Sequence, residues 1–178
     1  MQFRLLPGLP PYGALATPFP AEWGRLGREG VVVEFLSSDG TAWTGNFAPG
    51  YGGPTTVLPH PDGHNVLVLA RGDVWVVNPS SRQASLQDVG AIDYWEVMNP
   101  SGFVFSLHGL EFWRLSPDGV LWHTRKLSWD GFCDLAIIDN KLVGQAWNAV
   151  DDKWVRFEVD LDTGRSIGGA FDDGDAEG

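Results

Sequence analysis

Asn65-Val66-Leu67-Val68-Leu69-Ala70 leads through Arg71-Gly72-Asp73 into Val74-Trp75-Val76-Val77-Asn78-Pro79. Two β-branched apolar runs of strand length, joined by a turn centred on glycine, predict an antiparallel hairpin. His60-Pro61-Asp62-Gly63 precedes the first run, and Pro-Asp-Gly is turn chemistry. Downstream the same order returns. Met98-Asn99-Pro100-Ser101-Gly102 opens Phe103-Val104-Phe105-Ser106-Leu107. His108-Gly109 then turns into Leu110-Glu111-Phe112-Trp113-Arg114-Leu115, and Ser116-Pro117-Asp118-Gly119 follows. A third unit runs from Ile138-Asp139-Asn140 through Lys141–Trp147 and a turn at 148–152 to Lys153-Trp154-Val155-Arg156-Phe157-Glu158-Val159, closing at Asp162-Thr163-Gly164.

Trp75 and Trp113 are 38 residues apart, and Trp113 and Trp154 are 41 apart. A period near 40 residues with one Trp-bearing strand per unit matches a four-stranded antiparallel propeller blade. Such a unit cannot bury both faces alone, so neighbours must stack. The chain reads as all-β, a single domain over 1–178. A proline-rich arm (1–30) comes first, with a hairpin and Gly-rich loop (31–54) after it. Repeat units follow at 55–94, 95–134 and 135–171, then an acidic tail (172–178). Prolines at 7, 10, 11, 18 and 20 forbid a long helix in the arm, which is expected to be extended and to pack Phe3, Leu5, Tyr12 and Phe19 onto the rest. Val31–Leu36, Ser38-Asp39-Gly40 and Thr41–Phe47 read as strand, turn and strand. Three units and a hairpin amount to three and a half blades. That favours antiparallel meanders in an open, half-propeller-like stack. A small closed four-bladed propeller, its N-terminal segment pairing with the C-terminal strand, or a β-sandwich are the alternatives. Trp75, Trp113 and Trp154 are expected to serve as packing residues.

Ser128-Trp129-Asp130-Gly131-Phe132, Trp154 through Gly164, Gly168-Gly169-Ala170-Phe171, and Glu29–Phe35 with Trp43–Phe47 resemble small bacterial β-rich proteins that carry no established activity. Propeller blades in general are also similar. Trp129-Asp130 resembles the WD dipeptide, but the Gly-His element that accompanies it in those repeats is missing. Compact acidic proteins of this kind are often immunity-type, encoded beside bacterial toxins, and the resemblance implies that role without assigning a site.

The chain has 178 residues, of which 43% are apolar, enough for a buried core. Twelve Lys+Arg against 23 Asp+Glu give a net charge of −11. That sign disfavours nucleic-acid phosphates and anionic membrane surfaces, and fits a basic protein partner. Cys133 is the one cysteine, so no intramolecular disulfide forms, and a cytoplasmic location is expected. No secretory h-region is evident at the N-terminus. Gly-x-Ser-x-Gly, a phosphate loop and Gly-x-Gly-x-x-Gly after a strand are all missing. His60, His64, His108 and His123 read as turn and strand residues, with no metal or cofactor expected. No catalytic residues are assigned.

The sequence after residue 150 is more informative. Alternation puts Val155, Phe157, Val159 and Leu161 on a buried face, and Trp154, Arg156, Glu158, Asp160 and Asp162 on the other. Residues 151–178 hold nine Asp+Glu against three Lys+Arg, a net −6. With Asp151, Asp152 and Trp129, that face is the expected partner-binding surface, an acidic and aromatic stripe for a basic protein. Its mechanism would be occlusion of an effector or toxin. A self-associating module, forming a homodimer through exposed strand edges, and a carbohydrate-binding or hydrolytic β domain using Trp and carboxylates are the alternatives.

Overall fold

The computed structural model describes residues 2–36, 40–87, 92–98 (of 93–98 the backbone alone) and 102–171. The expected turn residues Ser38, Asp39 and Asn99–Ser101, the Trp95 side chain and the acidic tail lie outside the described residues. Strands make up 55% of the chain and helix 3%, so the protein is all-β. Among the described residues the strands form four four-stranded sheets, none closed into a barrel.

The first sheet contains β1 (Gln2–Leu6), β2 (Thr17–Phe19), β3 (Val31–Leu36) and β4 (Ala42–Phe47), ordered β1-β3-β4-β2. One short helix, α1 (Ala21–Arg25), follows β2. The second sheet is β5 (Thr55–Pro59), β6 (Val66–Ala70), β7 (Asp73–Asn78) and β8 (Gln83–Gln87), in chain order. The third is β9 (Ile92–Met98), β10 (Gly102–Leu107), β11 (Glu111–Ser116) and β12 (Gly119–His123). The fourth is β13 (Phe132–Ile138), β14 (Lys141–Asn148), β15 (Lys153–Asp160) and β16 (Ser166–Gly168). The last three sheets are the blade-like meanders that the repeat predicts. Two compact units result, Met1–Ile92 and Asp93–Gly178.

In the first unit the N-terminal segment is more ordered than an irregular arm. Gln2–Leu6, free of proline, pairs antiparallel with β3, and Thr17–Phe19 pairs parallel with β4. Pro18 is tolerated because β2 lies at the sheet edge, where a missing N–H breaks no ladder. The N-terminal strands thus complete a fourth blade by pairing with β3 and β4. Between the two sheets lies a core of Phe19, Val33, Phe35, Trp43, Phe47, Val66, Val68, Trp75 and Val77. Phe35 stacks on Trp43 at 4.6 Å and Phe19 on Phe47 at 5.0 Å, contacts worth about 1 kcal/mol each beyond area burial. Tyr12 and Leu5, expected to pack, are 90% and 44% exposed.

The second unit has its own core of Val104, Phe112, Leu127, Leu142, Ala146, Phe157, Val159 and Leu161. Phe112 lies 4.4 Å from Phe132 and 5.5 Å from Phe157. The segment 124–131, between β12 and β13, ties the sheets together. The Leu127 amide donates to the Leu110 carbonyl and the Trp129 amide to Trp147.

Hairpin chemistry fixes the registers. Arg71 and Gly72 take φ of 50° and 93°, and Asp139 and Asn140 take 48° and 62°. Two successive positive φ values are the signature of the tight turn whose twist matches flanking strands. The turns from third to fourth strand share another device. Asn78 Oδ1 accepts the Ser80 and Ser81 amides, Ser116 Oγ the Asp118 amide, and Asp160 Oδ1 the Asp162 and Thr163 amides.

The repeated tryptophans fall at two neighbouring ladder positions, Trp43 and Trp154 in the second pair from the hairpin turn and Trp75 and Trp113 in the third. Trp43 stands opposite Phe35, Trp75 opposite Val68, Trp113 opposite Phe105 and Trp154 opposite Trp147. Trp43 and Trp75 face their unit's core, at 5% and 4% exposure. In the second unit that core takes Phe112 and Phe157, of opposite parity on the same strands. Trp113 and Trp154 therefore face away from it, Trp113 partly buried and Trp154 43% exposed. The expectation that all three serve as packing residues fails at Trp154.

Candidate functional site

The outer face of the fourth sheet is assembled by the register of β13, β14, β15 and β16. Residues directly paired share a face. One end of the face holds Trp147 opposite Trp154, whose rings meet edge-to-face at 5.2 Å. Next come Cys133, Gln145 and Arg156, then Ala136, Val143, Glu158 and Ile167, then Ile138, Lys141 and Asp160. The alternation expected for β15 is present. Phe157, Val159 and Leu161 are buried, while Trp154, Arg156, Glu158 and Asp162 are exposed.

The expected binding residues do not form one continuous acidic stripe. They divide between two ends of β15, which are separated by about 20 Å at strand rise. At the first end are Asp151 and Asp152 in the 149–152 turn, Trp154, and the backbone of Trp129, whose amide donates to the Trp147 carbonyl. At the other are Asp160 and Asp162. Arg156 and Glu158 lie between.

Most of the carboxylates have local partners. Glu158 Oε2 accepts from Lys141 Nζ at 2.7 Å. Asp151 lies 3.0 Å from Lys153 Nζ. Asp162 accepts from Asn140 Nδ2 at 2.9 Å and lies 3.8 Å from Arg114 Nη1. Asp160 is a turn cap. Its hydrogen bond from the Thr163 hydroxyl, with the Thr163 and Asp162 amides and the charge of Lys141, holds its carboxyl below the usual range. The hydrogen bond to Glu158, its charge, and the charges of Asp160 and Asp139 raise Lys141. Residues 151–171 hold five Asp+Glu against three Lys+Arg, and 172–178 hold four more Asp+Glu. The −6 thus divides into −2 on described residues and −4 outside them.

The aromatic half of the surface fares differently. Trp154 is 43% exposed beside the exposed Arg156. Trp129 is 46% exposed but stacks on Phe171 at 4.9 Å, so part of its surface clamps the segment after β16. Arg125 completes that clamp, donating to the Phe171 carbonyl at 2.7 Å and to Gly168 at 2.9 Å. Sequence reasoning did not place Trp147, Lys141, Ile138 (54% exposed) or Ile167 (68%) on this face. The signal was the 148–153 turn, which sets Trp147 against Trp154 and brings Lys141 onto Glu158.

Elsewhere the chemistry is structural. His60 is 6% exposed, its Nδ1 3.0 Å from an Asp62 carboxylate oxygen. Asp62 also accepts the His64 and Asn65 amides, so the His60–His64 segment is a braced turn. His108 stands at φ 50° in the β10–β11 turn, and His123 lies 5.6 Å from the Trp113 ring. Burial and the neighbouring Asp134 push the Cys133 thiol up, which disfavours a nucleophilic thiolate. Among the described residues no group of three or more His, Cys, Asp or Glu side chains is placed to hold a metal ion, and no helix is long and apolar enough to cross a membrane. No protein-family model matches the chain, and no curated protein matches it.

Proposed function

We propose that this protein is a non-catalytic, cytoplasmic binding module that takes a protein partner on the outer face of its fourth sheet. The observation that carries the reading is Trp154. It stays 43% exposed at the ladder position where Trp43 of the first sheet is 5% exposed. Apolar area held open beside a guanidinium is the composition of an interface anchor. The Trp147–Trp154 pair supplies the anchor, Arg156 a charged donor, and Asp151 and Asp152 a carboxylate rim. The net charge of −11 favours a basic partner and speeds its approach. An immunity-type role, occluding a basic toxin, follows from that polarity. The locally paired Glu158, Asp160 and Asp162 shape the face rather than reach outward.

The test is affinity capture from the source cell's own lysate on immobilised full-length chain, with Trp154→Ala as the control bait. A basic protein retained by the wild type and lost on W154A is expected, its association slowing as salt rises. If W154A retains the same proteins as the wild type, the face is not an interface and the proposal fails.

A further inference from the structure

A groove of about 570 Å³ opens in the first unit between the loop that follows β1 and helix α1. Leu9, Tyr12, Leu15 and Pro18 give it an apolar lining, and Arg25 and Arg28 stand in its wall. The floor is held in place from beneath. Asn46 is 5% exposed, accepts the Gly30 amide at 2.8 Å and donates to the Arg28 carbonyl at 2.9 Å. At Gly24 the helix rests directly on Pro18, where an added Cβ would lie 2.6 Å from the proline ring. Glu29 anchors the loop by accepting the Leu9 amide at 2.9 Å. Leu15 is 97% exposed and Tyr12 90% exposed, apolar surface left open at the groove's rim.

Charge decides what fits. The whole chain carries −11, yet the residues lining this groove include two arginines and no Asp or Glu. Two acids adjoin the lining in sequence: Glu29 is turned to the Leu9 amide, and Glu22 stands in the first turn of α1, outside the lining. Small-molecule sites are concave, mostly apolar clefts of roughly 300–1,000 Å³ with a few placed polar groups. We infer that this groove binds a small apolar molecule bearing one anionic head, the chain lying along Leu9, Leu15 and Pro18 and the carboxylate meeting Arg25 and Arg28. The site belongs to the first unit and is independent of the Trp154 face.

Isothermal titration of the full-length chain with decanoate, decan-1-ol and decylamine tests it. Decanoate should bind about tenfold or more tightly than the alcohol, the gain of a charge-assisted hydrogen bond, and the amine should bind most weakly. The double variant Arg25→Gln/Arg28→Gln, both residues exposed, should lose that preference while still binding the alcohol. Ala14→Trp, which fills the groove, should lose all three, with its fold checked by near-ultraviolet circular dichroism. If A14W misfolds, the arginine variant carries the test alone. Failure of the wild type to bind decanoate, equal affinity for acid and amine, or an acid preference that survives in R25Q/R28Q would each overturn the inference.

Discussion

Replacing the ladder tryptophans one at a time should separate those that hold the fold from the one left free. Trp75 is 4% exposed, with its ring 5.9 Å from Phe47 and 6.4 Å from Phe19. Truncating a buried tryptophan to alanine removes its transfer energy and leaves a cavity, so Trp75→Ala should cost about 3–5 kcal/mol. Trp154 is 43% exposed and meets Trp147 edge-to-face. Losing that pair and the covered part of the ring should cost about 1–2 kcal/mol. The phenylalanine variants sharpen the contrast. Trp43 Nε1 donates to the Pro79 carbonyl at 2.9 Å, whereas Trp75 Nε1 is buried with no partner among the described residues. Trp43→Phe therefore loses a buried hydrogen bond. Trp75→Phe removes an unsatisfied donor whose burial costs about 1–3 kcal/mol, which offsets the smaller ring. Trp43→Phe should thus be the more destabilising by about 1–2 kcal/mol. Urea unfolding followed by far-ultraviolet circular dichroism reads these differences as shifts in midpoint at constant slope. It also avoids the loss of signal that fluorescence would suffer. A W154A variant destabilised as much as W75A, or a W75F variant weaker than W43F, would refute the assignment of burial and of hydrogen bonding on which the fold account stands.

Three further outcomes are expected. Arg114 has a side chain only 9% exposed and donates to the Leu161 carbonyl, which Trp122 Nε1 also reaches at 3.0 Å. Arg114→Met should therefore change stability by less than about 1 kcal/mol, while the double variant with Trp122→Phe should lose about 1–3 kcal/mol more than the sum of its parts, because the carbonyl is then orphaned; a double-mutant cycle in urea measures this. Arg125→Ala should release the segment after β16, raising exchange of the Ala170 amide, bonded to Leu127 at 2.7 Å, by about tenfold in NMR hydrogen-exchange while the global midpoint barely moves. Burial pushes the Asp62 carboxyl up, but hydrogen bonds from the Asn65 and His64 amides, with His60 and the Asn65 side chain, more than offset this and leave it below 3.8; burial alone raises Asp73 above 3.8. Asp62 thus contributes stability above its unfolded pKa that is lost as pH falls through the lower folded value, and Asp73 acts in the opposite sense. In acid titrations of stability, Asp62→Asn should flatten the acid limb and Asp73→Asn should steepen it.

Much of this fold is legible in the chain because its signals are local. The runs flanking Arg71-Gly72 declare a hairpin, and the alternation from Trp154 to Leu161 declares which face of β15 is buried. The N-terminal sheet was harder to read because its pairings are not local. β2 pairs in parallel with β4, and nothing in Thr17-Pro18-Phe19 announces a partner some 28 residues on. The charge balance of the candidate face was hidden for a related reason. Glu158 is neutralised by Lys141 only because the 148–153 turn sets one register, and a slip of one residue would send Lys141 to the other face. Asp160 was readable in principle. Asp160-Leu161-Asp162-Thr163 repeats the turn-capping pattern of Asn78-Pro79-Ser80-Ser81, a structural use for a carboxylate that charge counting treats as free.

The tryptophan period states how often a strand recurs, but parity along the strand decides which face its side chain takes. Turn lengths absorb odd and even differences between units, so spacings of 38 and 41 residues are compatible with either face. The first unit turns Trp43 and Trp75 into its core. The second fills the equivalent space with Phe112 and Phe157 and leaves the tryptophans on the reverse side. Once Phe157, Val159 and Leu161 are buried, β15 has met the requirement of its own sheet's core, and what packing asks of Trp154 is its edge-to-face contact with Trp147. The indole there, paired with a second indole across the ladder and flanked by Arg156, is the feature on which the proposed interface rests, and loss of capture on W154A is the result that bears on it.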